Sequence, residues 1–337
     1  MAAVPSGGSV AVGNATCDRA CLNGFVDRYL DALIAHDPGQ LPTTRNVRFT
    51  ENGQQLRLGD GLWNTMAGRG SYRLFVTDVP AGQVAFIGTI REMGETPDAP
   101  NPALMALRLK VEHRRVSQIE MIVVRDAEAA KRVESLGHPN VKFTTPVPSD
   151  QQESRQSLVS IANMYFAGMQ LNDGKGYYPF ADDCNRIENG TQTTNVKGVP
   201  DPDPSTATNY SIAWSCLQQF QSGLLHFVTR IHDRRFVAVD QRYGLVFSFA
   251  FFDHAAGKTR TFQTPSGRTV TAGPTQPWTW EIAEMFKIQG GKIHQIEAIL
   301  QQVPYGMNSG WSNWRQGMST QPQDVTGVPE RPMQHSL

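Results

Sequence analysis

The sequence predicts an α+β fold: two tandem cone-shaped domains, each a curved antiparallel sheet wrapped around helices. Three observations predict it. An amphipathic helical pattern occurs twice, at residues 22–33 and 158–169. Each copy is followed by a short stretch ending in Glu-Asn-Gly. Each half then closes on two long apolar strands joined by a tight turn, and the last strand of each carries Gln-Ile-Glu. Each copy reads as helix, short strand, helix and then a run of long strands. Helices segregated to one face of an antiparallel sheet give this class of fold.

In the first half, Leu22, Phe25, Val26, Tyr29, Leu30 and Leu33 follow helical spacing, which stops at His36-Asp37-Pro38-Gly39. The short strand is Arg48-Phe49-Thr50-Glu51-Asn52-Gly53. Val84, Phe86 and Gly88 alternate as a strand does. The closing pair is Ala103–Glu112 and Ser117–Arg125, turning at His113-Arg114-Arg115-Val116. Val147–Gln152 is polar and contains proline, as linkers do.

The second half repeats the order. Leu158, Ile161, Ala162, Tyr165, Phe166 and Met169 form the helical stripe, which ends at Asn172-Asp173-Gly174. Asn185-Arg186-Ile187-Glu188-Asn189-Gly190 follows. Leu245, Phe247, Phe249 and Phe251 alternate, and Trp278–Ile288 pairs with Lys292–Gln302 across Gln289-Gly290-Gly291. Glu-Asn-Gly recurs at an offset of 137 residues and Gln-Ile-Glu at 177. The second copy therefore holds about 40 more residues, in Val196–Thr208 and Ala255–Pro277. These are loops by composition, and loops carry specificity. The domains run 16–146 and 152–304, with a flexible start at 1–15 and a tail at 305–337 whose last ten or so residues are expected to be disordered.

Of the 337 residues, 39% are hydrophobic and 18% charged, enough to bury a sizeable core. Lys plus Arg equals Asp plus Glu at 31 each, so no global field steers the chain to nucleic acid or an acidic membrane. No run approaches the roughly 20 apolar residues of a spanning helix. Cys17, Cys21, Cys184 and Cys216 form no CxxC pair. Their even count favours two disulfides, with four buried free thiols as the alternative. Met1–Thr16 reads as a mature N-terminus after removal of a signal peptide, and with the cysteines it points to an exported protein, periplasmic or extracellular. The sequons at Asn14, Asn189 and Asn209 are about as many as chance supplies and decide nothing.

The paired helices ending in His-Asp-Pro or Asn-Asp-Gly, the RFTENG and RIENG strands and the closing strands with Gln-Ile-Glu resemble the nuclear transport factor 2-like superfamily, which includes SnoaL-like and ketosteroid-isomerase-like proteins. The resemblance covers 16–125 and 152–304. It implies a pocket between the concave sheet and the helices, and two copies packed as a pseudo-dimer. Members include cofactor-independent isomerases, dehydratases and lyases as well as non-catalytic binding proteins, so fold alone does not settle function.

The chain has no Walker loop, GxSxG, HExxH or dinucleotide fingerprint. Its eight histidines, among them His36, His113, His138 and His335, form no metal-ligand spacing, so neither metal nor cofactor is expected. The unusual polar residues lie in the second half. His226, Val228 and Arg230 fall on one face of an expected strand entering a turn. Asp253-His254 ends a long apolar strand, where a carboxylate can fix the imidazole tautomer for general acid–base work; the plain alternative is a pair of turn residues. Trp280, Glu284 and Phe286 share one side of the next strand. A cavity-facing Glu284 has its pKa raised by burial and acts as a base; the alternative is an exposed strand face.

Tyr210 and Trp214 are expected to start a helix beside Cys216. The resemblance places aromatics of that helix in the pocket, where Tyr210 can donate to an oxyanion. Asp183 and Arg186 flank Cys184, as an ion pair or as ligand contacts. The Arg114-Arg115 and Arg234-Arg235 pairs read as solvated turn residues. In the first half, Arg48, Glu51, Tyr72 and Asp78 are the counterparts, and the apolar run Ala103–Leu109 implies a filled, structural cone. Glu120 and Glu297 recur as sheet braces at least as plausibly as catalytic groups.

The expected function is cofactor-independent proton transfer by a lyase, dehydratase or isomerase on a small hydrophobic or aromatic molecule. Catalytic candidates are His254 with Asp253, Glu284, Tyr210 and His226. Arg230, Trp214, Trp280, Phe251, Asp183 and Arg186 bind substrate. The alternatives are an exported non-catalytic binding protein and a purely structural pair of filled cones. The partner is a small molecule, with no nucleic acid or membrane, and a homo-oligomer stays open.

Overall fold

A computed structural model describes residues 17–328. The expected flexible start, the Asn14 sequon, His335 and nearly all of the end expected to be disordered lie outside these residues.

Helix α1 (Arg19–Ile34) starts where the Asp18 side chain accepts from the Cys21 amide, and it buries Leu22, Phe25, Val26, Tyr29, Leu30 and Leu33. Strands β1 (Thr43–Glu51), β2 (Gln54–Leu56), β3 (Met66–Asp78), β4 (Gln83–Glu92), β5 (Asn101–Glu112) and β6 (Arg115–Val124) form one sheet, ordered β2-β1-β6-β5-β4-β3. Helices α2 (Ala127–Ser135) and α3 (Val141–Thr144) lead to α4 (Arg155–Leu171), which buries Leu158, Ile161, Ala162, Tyr165, Phe166 and Met169. Then come β7 (Phe180–Glu188), β8 (Thr191–Gln192), α5 (Cys216–Gln221), β9 (Arg230–Asp240), β10 (Leu245–His254), the small hairpin of β11 (Thr261–Gln263) and β12 (Thr269–Thr271), β13 (Trp278–Gln289), β14 (Lys292–Val303), α6 (Trp314–Gly317) and β15 (Gln323–Asp324). The second large sheet is ordered β8-β7-β14-β13-β10-β9-β15. The fold is α+β with two large sheets.

Both sheets are mixed. β1 runs parallel to β6, and β7 parallel to β14, where fully antiparallel sheets were expected. Period-two alternation fixes which face a side chain takes and says nothing of strand direction. The second expected helix of the first half is only a 3-10 turn, Gly61–Asn64.

The sheets correspond in register as well as in order. Phe49 pairs with Ile119 and Glu51 with Met121; Arg186 pairs with Ile296 and Glu188 with Ala298. Leu107 lies across from Met121 as Glu284 lies across from Ala298. The repeated Glu-Asn-Gly has a physical use in both. Asn52 and Asn189 take left-handed backbone, φ 51° and 46°, each followed by a glycine of positive φ. The Asn52 side chain accepts from the Val123 amide and donates to its carbonyl, and Asn189 clasps Leu300 in the same way. The clasp ties the short strand to the closing strand.

One face of each sheet covers a helix. Val84, Phe86, Met105 and Leu107 pack with α1, while Phe236, Val246, Phe252 and Phe286 pack with α4. The opposite faces meet: Tyr72, Ile87, Leu104 and Ile122 share a core with Val237, Phe247, Phe249 and Met285. Polar contacts cross this junction reciprocally. Arg19, the first residue of α1, reaches Asp240 at the end of β9 at 2.6 Å, and Arg155, the first residue of α4, reaches Asp78 at the end of β3. Glu120 pairs with Arg235, and Glu297 accepts from the Tyr72 hydroxyl at 2.7 Å. Arg234 and Arg235 are buried in β9, which runs straight through the expected turn, so they are not solvated turn residues.

The tail is ordered across the junction: Trp311 donates to Thr50, Ser309 to Asp233, and β15 joins β9. Two disulfides, Cys17–Cys21 and Cys184–Cys216, leave no free cysteine among the described residues. No described helix is long and apolar enough to cross a membrane.

Candidate functional site

β13 alternates between two environments. Glu281, Ala283 and Met285 face the first sheet and the tail, whereas Trp280, Ile282, Glu284 and Phe286 face α4. On the α4 side lies a narrow cavity lined by Tyr165, Arg186, Glu188, Tyr210, Phe227, Trp280 and Glu284, among others. Its volume is about 20 Å³. That is room for about one water. A broader surface hollow beside Pro204, Gln218, Ser222 and Pro265 gathers no titratable side chain.

Glu284 is 2% exposed, and its Oε2 has no hydrogen-bond partner. Burial, reinforced by the Glu188 charge, pushes its carboxyl up to about 8, with Arg186 and the Tyr165 hydroxyl pulling the other way. Burial likewise raises the Tyr165 and Tyr210 phenols. Arg186 is buried yet well partnered. Its Nε donates to Thr193 at 3.0 Å and lies 3.0 Å from Glu188, Nη2 donates to Gln219 at 2.8 Å, and Nη1 approaches the Tyr165 hydroxyl at 3.4 Å. The Arg186 cation beside the Glu188 anion, with a neutral Glu284, gives an inner site without net charge.

Four of these positions have apolar counterparts in the first half, while Glu51, in the place of Glu188, is paired with Arg125. Leu107 stands where Glu284 does, Phe49 for Arg186, Ala103 for Trp280 and Met121 for Ala298. There the Tyr29 hydroxyl meets the Met121 sulfur at 3.5 Å, and Trp63 packs edge-on against the Tyr29 ring. Among the described residues, this combination of a buried unpaired carboxyl and a lined cavity occurs on the second sheet.

The structure brings Glu284, Arg186, Tyr210 and Trp280 to one cavity. His254 sits just behind the wall, fully buried, stacked on Trp278 at 3.8 Å and against Phe227 at 5.7 Å. Burial pushes its imidazole down to about 4, despite nearby backbone carbonyls and Asp253, so it is neutral at pH 7. Neither ring nitrogen has a partner.

Asp253 does not orient His254. The two are consecutive residues inside β10, not in a turn, and project to opposite faces. Asp253 instead accepts from Arg230 at 2.7 Å and Thr279 at 2.5 Å and lies 3.3 Å from His232. Burial works to raise its carboxyl, but these partners hold it below the usual range. Arg230 and Phe251 go to that far side with it, and Phe252, one residue on, walls the cavity. A one-residue change of parity exchanges faces.

His226 lies in the loop before β9, stacked on Phe262 at 4.5 Å. Trp214 lies outside any helix, since α5 starts at Cys216; it anchors a small core with Ala207, Leu224, Phe262 and Val270 and donates to the Pro202 carbonyl. Asp183 is exposed and pairs with His294 and Lys142, not with Arg186. Those partners outweigh its partial burial and lower its carboxyl. Sequence reasoning gave no site role to Tyr165 or Glu188. The signal was present, because both are repeat positions (Tyr29 and Tyr165, Glu51 and Glu188) whose neighbours turn polar in the second copy alone.

A family described as "Domain of unknown function (DUF8021)" matches residues 151–300. That span contains every residue lining the cavity. No curated protein matches the chain. Among solved structures, AclR from Streptomyces galilaeus, described provisionally as a hydroxylase, is similar at 11% identity and a TM-score of 0.28, over 40% of this chain and 92% of that one. At that level the likeness carries no argument about function.

Proposed function

We propose that the second sheet and α4 enclose the active site of a cofactor-independent enzyme that transfers a proton to or from a small hydrophobic or aromatic molecule, in a lyase, dehydratase or isomerase reaction. The observation that carries the reading is Glu284, a buried carboxyl with an unpaired oxygen in an aromatic-walled cavity. A carboxyl titrating near 8 is suited to exchange protons at neutral pH, because general acid–base efficiency is greatest when the pKa lies near the working pH. Glu284 moves the proton. Arg186 and the Tyr165 and Tyr210 hydroxyls face charge that develops on a substrate oxygen. Trp280, Phe227 and Phe252 hold the apolar body.

His254 supports the wall and is not the base, since its ring is walled off by aromatics. The chain is read as two cones of the nuclear transport factor 2-like kind packed as a pseudo-dimer, supported by matching register and reciprocal cross-sheet contacts. The two disulfides support export. A second reading, binding without chemistry, rests on the same aromatic walls, which hold an apolar body whether or not Glu284 exchanges a proton; in either reading the walls must part to admit it, since the closed cavity has room for about one water.

Carbon–hydrogen exchange separates the two. Aromatic and hydroxy-carbonyl compounds are incubated with the protein in D2O and followed by NMR. Proton transfer gives deuterium incorporation that falls by about 100-fold or more in Glu284→Gln. A compound that binds and exchanges no faster with wild type than with Glu284→Gln leaves the binding reading.

A further inference from the structure

The one buried cation of the cavity and its one unpaired carboxyl do not pair with each other. Arg186 spends its donors on Thr193, Glu188, Tyr165 and Gln219, while Glu284 Oε2 stays without a partner. An isolated buried carboxyl beside a guanidinium normally pairs with it, because a charge-assisted bond is about twice as strong as a neutral one. Something must hold the guanidinium back.

Gln219 is fully buried on α5. Its Oε1 accepts from Arg186 Nη2 at 2.8 Å, and its Nε2 donates to the carbonyls of Thr193 at 2.7 Å and Ser211 at 2.8 Å. Its amide orientation is thus fixed from three sides. α5 is itself fixed: Cys216, three residues earlier, is bonded to Cys184, two residues before Arg186. Ser211 follows Tyr210, which packs against both the cavity core and the small core around Trp214.

We propose that Gln219 is a positioning residue that holds the Arg186 guanidinium toward Thr193 and so prevents an Arg186–Glu284 ion pair. The groups facing Glu284 are Arg186 and Glu188 from β7, Tyr165 from α4 and Tyr210 from the loop before α5. Without the Gln219 acceptor, Nη2 is left as a buried unsatisfied donor, and Glu284 Oε2 is the orphan acceptor in the same cavity. Pairing then lowers the carboxyl by about 1–3 pH units. The inference shares its cavity with the proposed reaction but is read from titration without turnover, so a failed exchange assay leaves it standing.

The test follows the side-chain carboxyl of Glu284 by carbon-13 NMR in the full chain, assigned with Glu284→Gln. In Gln219→Leu the midpoint falls by one unit or more. In Gln219→Glu, which keeps the acceptor for Arg186 and adds a negative charge, it rises. In an Arg186→Met background, Gln219→Leu leaves it unmoved. Simple loosening of the site admits water and lowers the midpoint in all of them. A shared direction in the two Gln219 variants, no shift in Gln219→Leu, or an undiminished shift without Arg186 overturns the proposal. If Gln219→Leu does not fold, Gln219→Met carries the same prediction.

Discussion

Replacing Glu284 by glutamine should change how stability depends on pH, and the structure sets the size. The folded carboxyl is raised from 4.5 to about 8. Between those values the folded chain keeps a proton that the unfolded chain has released. Stability therefore falls as pH rises from about 4.5 and levels off above about 8. At pH 7 the penalty is roughly 3 kcal/mol, from about 1.4 kcal/mol per pH unit. Glutamine fills nearly the same space and carries no such term. The Glu284→Gln variant should then gain about 3 kcal/mol relative to wild type between pH 4 and pH 7, seen as about 4 °C in relative Tm. Glu281 and Glu297 are also raised, to about 8 and about 7, but both proteins share them and they cancel in the difference. The assay is urea unfolding of both proteins at half-unit steps from pH 4 to pH 9. Parallel curves would refute the reasoning, because they mean that Glu284 ionises alike in the folded and unfolded chains.

Asn52→Ala and Asn189→Ala should each cost about 2 kcal/mol in urea unfolding, from a lost clasp and a left-handed backbone without asparagine, and their effects should add because the clasps are separate. Arg155→Met leaves Asp78 buried and unpaired by its main partner, so it should cost about 3–5 kcal/mol by the same measurement. Arg19→Met, the reciprocal contact, also strips a buried carboxyl, Asp240, of its arginine, but Arg19 itself is part-exposed, so it should cost less than Arg155→Met, about 1–3 kcal/mol. Joint replacement of Cys184 and Cys216 by serine opens a 32-residue separation and should lower stability by about 3–4 kcal/mol, read as a fall in the urea midpoint.

Much of this architecture could be read from the chain because it is written twice. The stripes of α1 and α4 recur with helical spacing, and the recurrence of Glu-Asn-Gly located both short strands, although the clasp its asparagine makes came only with the hydrogen bonds. Strand direction was not legible, since the pattern of alternation is the same for parallel and antiparallel neighbours. The same limit governed the site. Glu284 and Trp280 share parity within one strand and were read together correctly as sharing a face, which β13 shows. Asp253 and His254 are adjacent and were joined as a pair, although neighbours in a strand must diverge. Arg234 and Arg235 look like turn residues by composition; what makes their burial tolerable is Glu120 and Asp233 beside Arg235, and the Ile231 carbonyl, Asn163 and Gln170 around Arg234. Tyr165 was visible as a core position, but its second role depends on Arg186, 21 residues on in the next element, which no local pattern encodes.

The central claim is that the second cavity holds an unpaired carboxyl ready to exchange a proton near neutral pH. Its most direct test is the titration midpoint of the Glu284 side chain in the intact wild-type protein, by carbon-13 NMR. A midpoint near 8 is expected. A midpoint near 4.5, the ordinary glutamate value, would contradict it, because Glu284 would then be hydrated or paired and the cavity would lack its acid–base group.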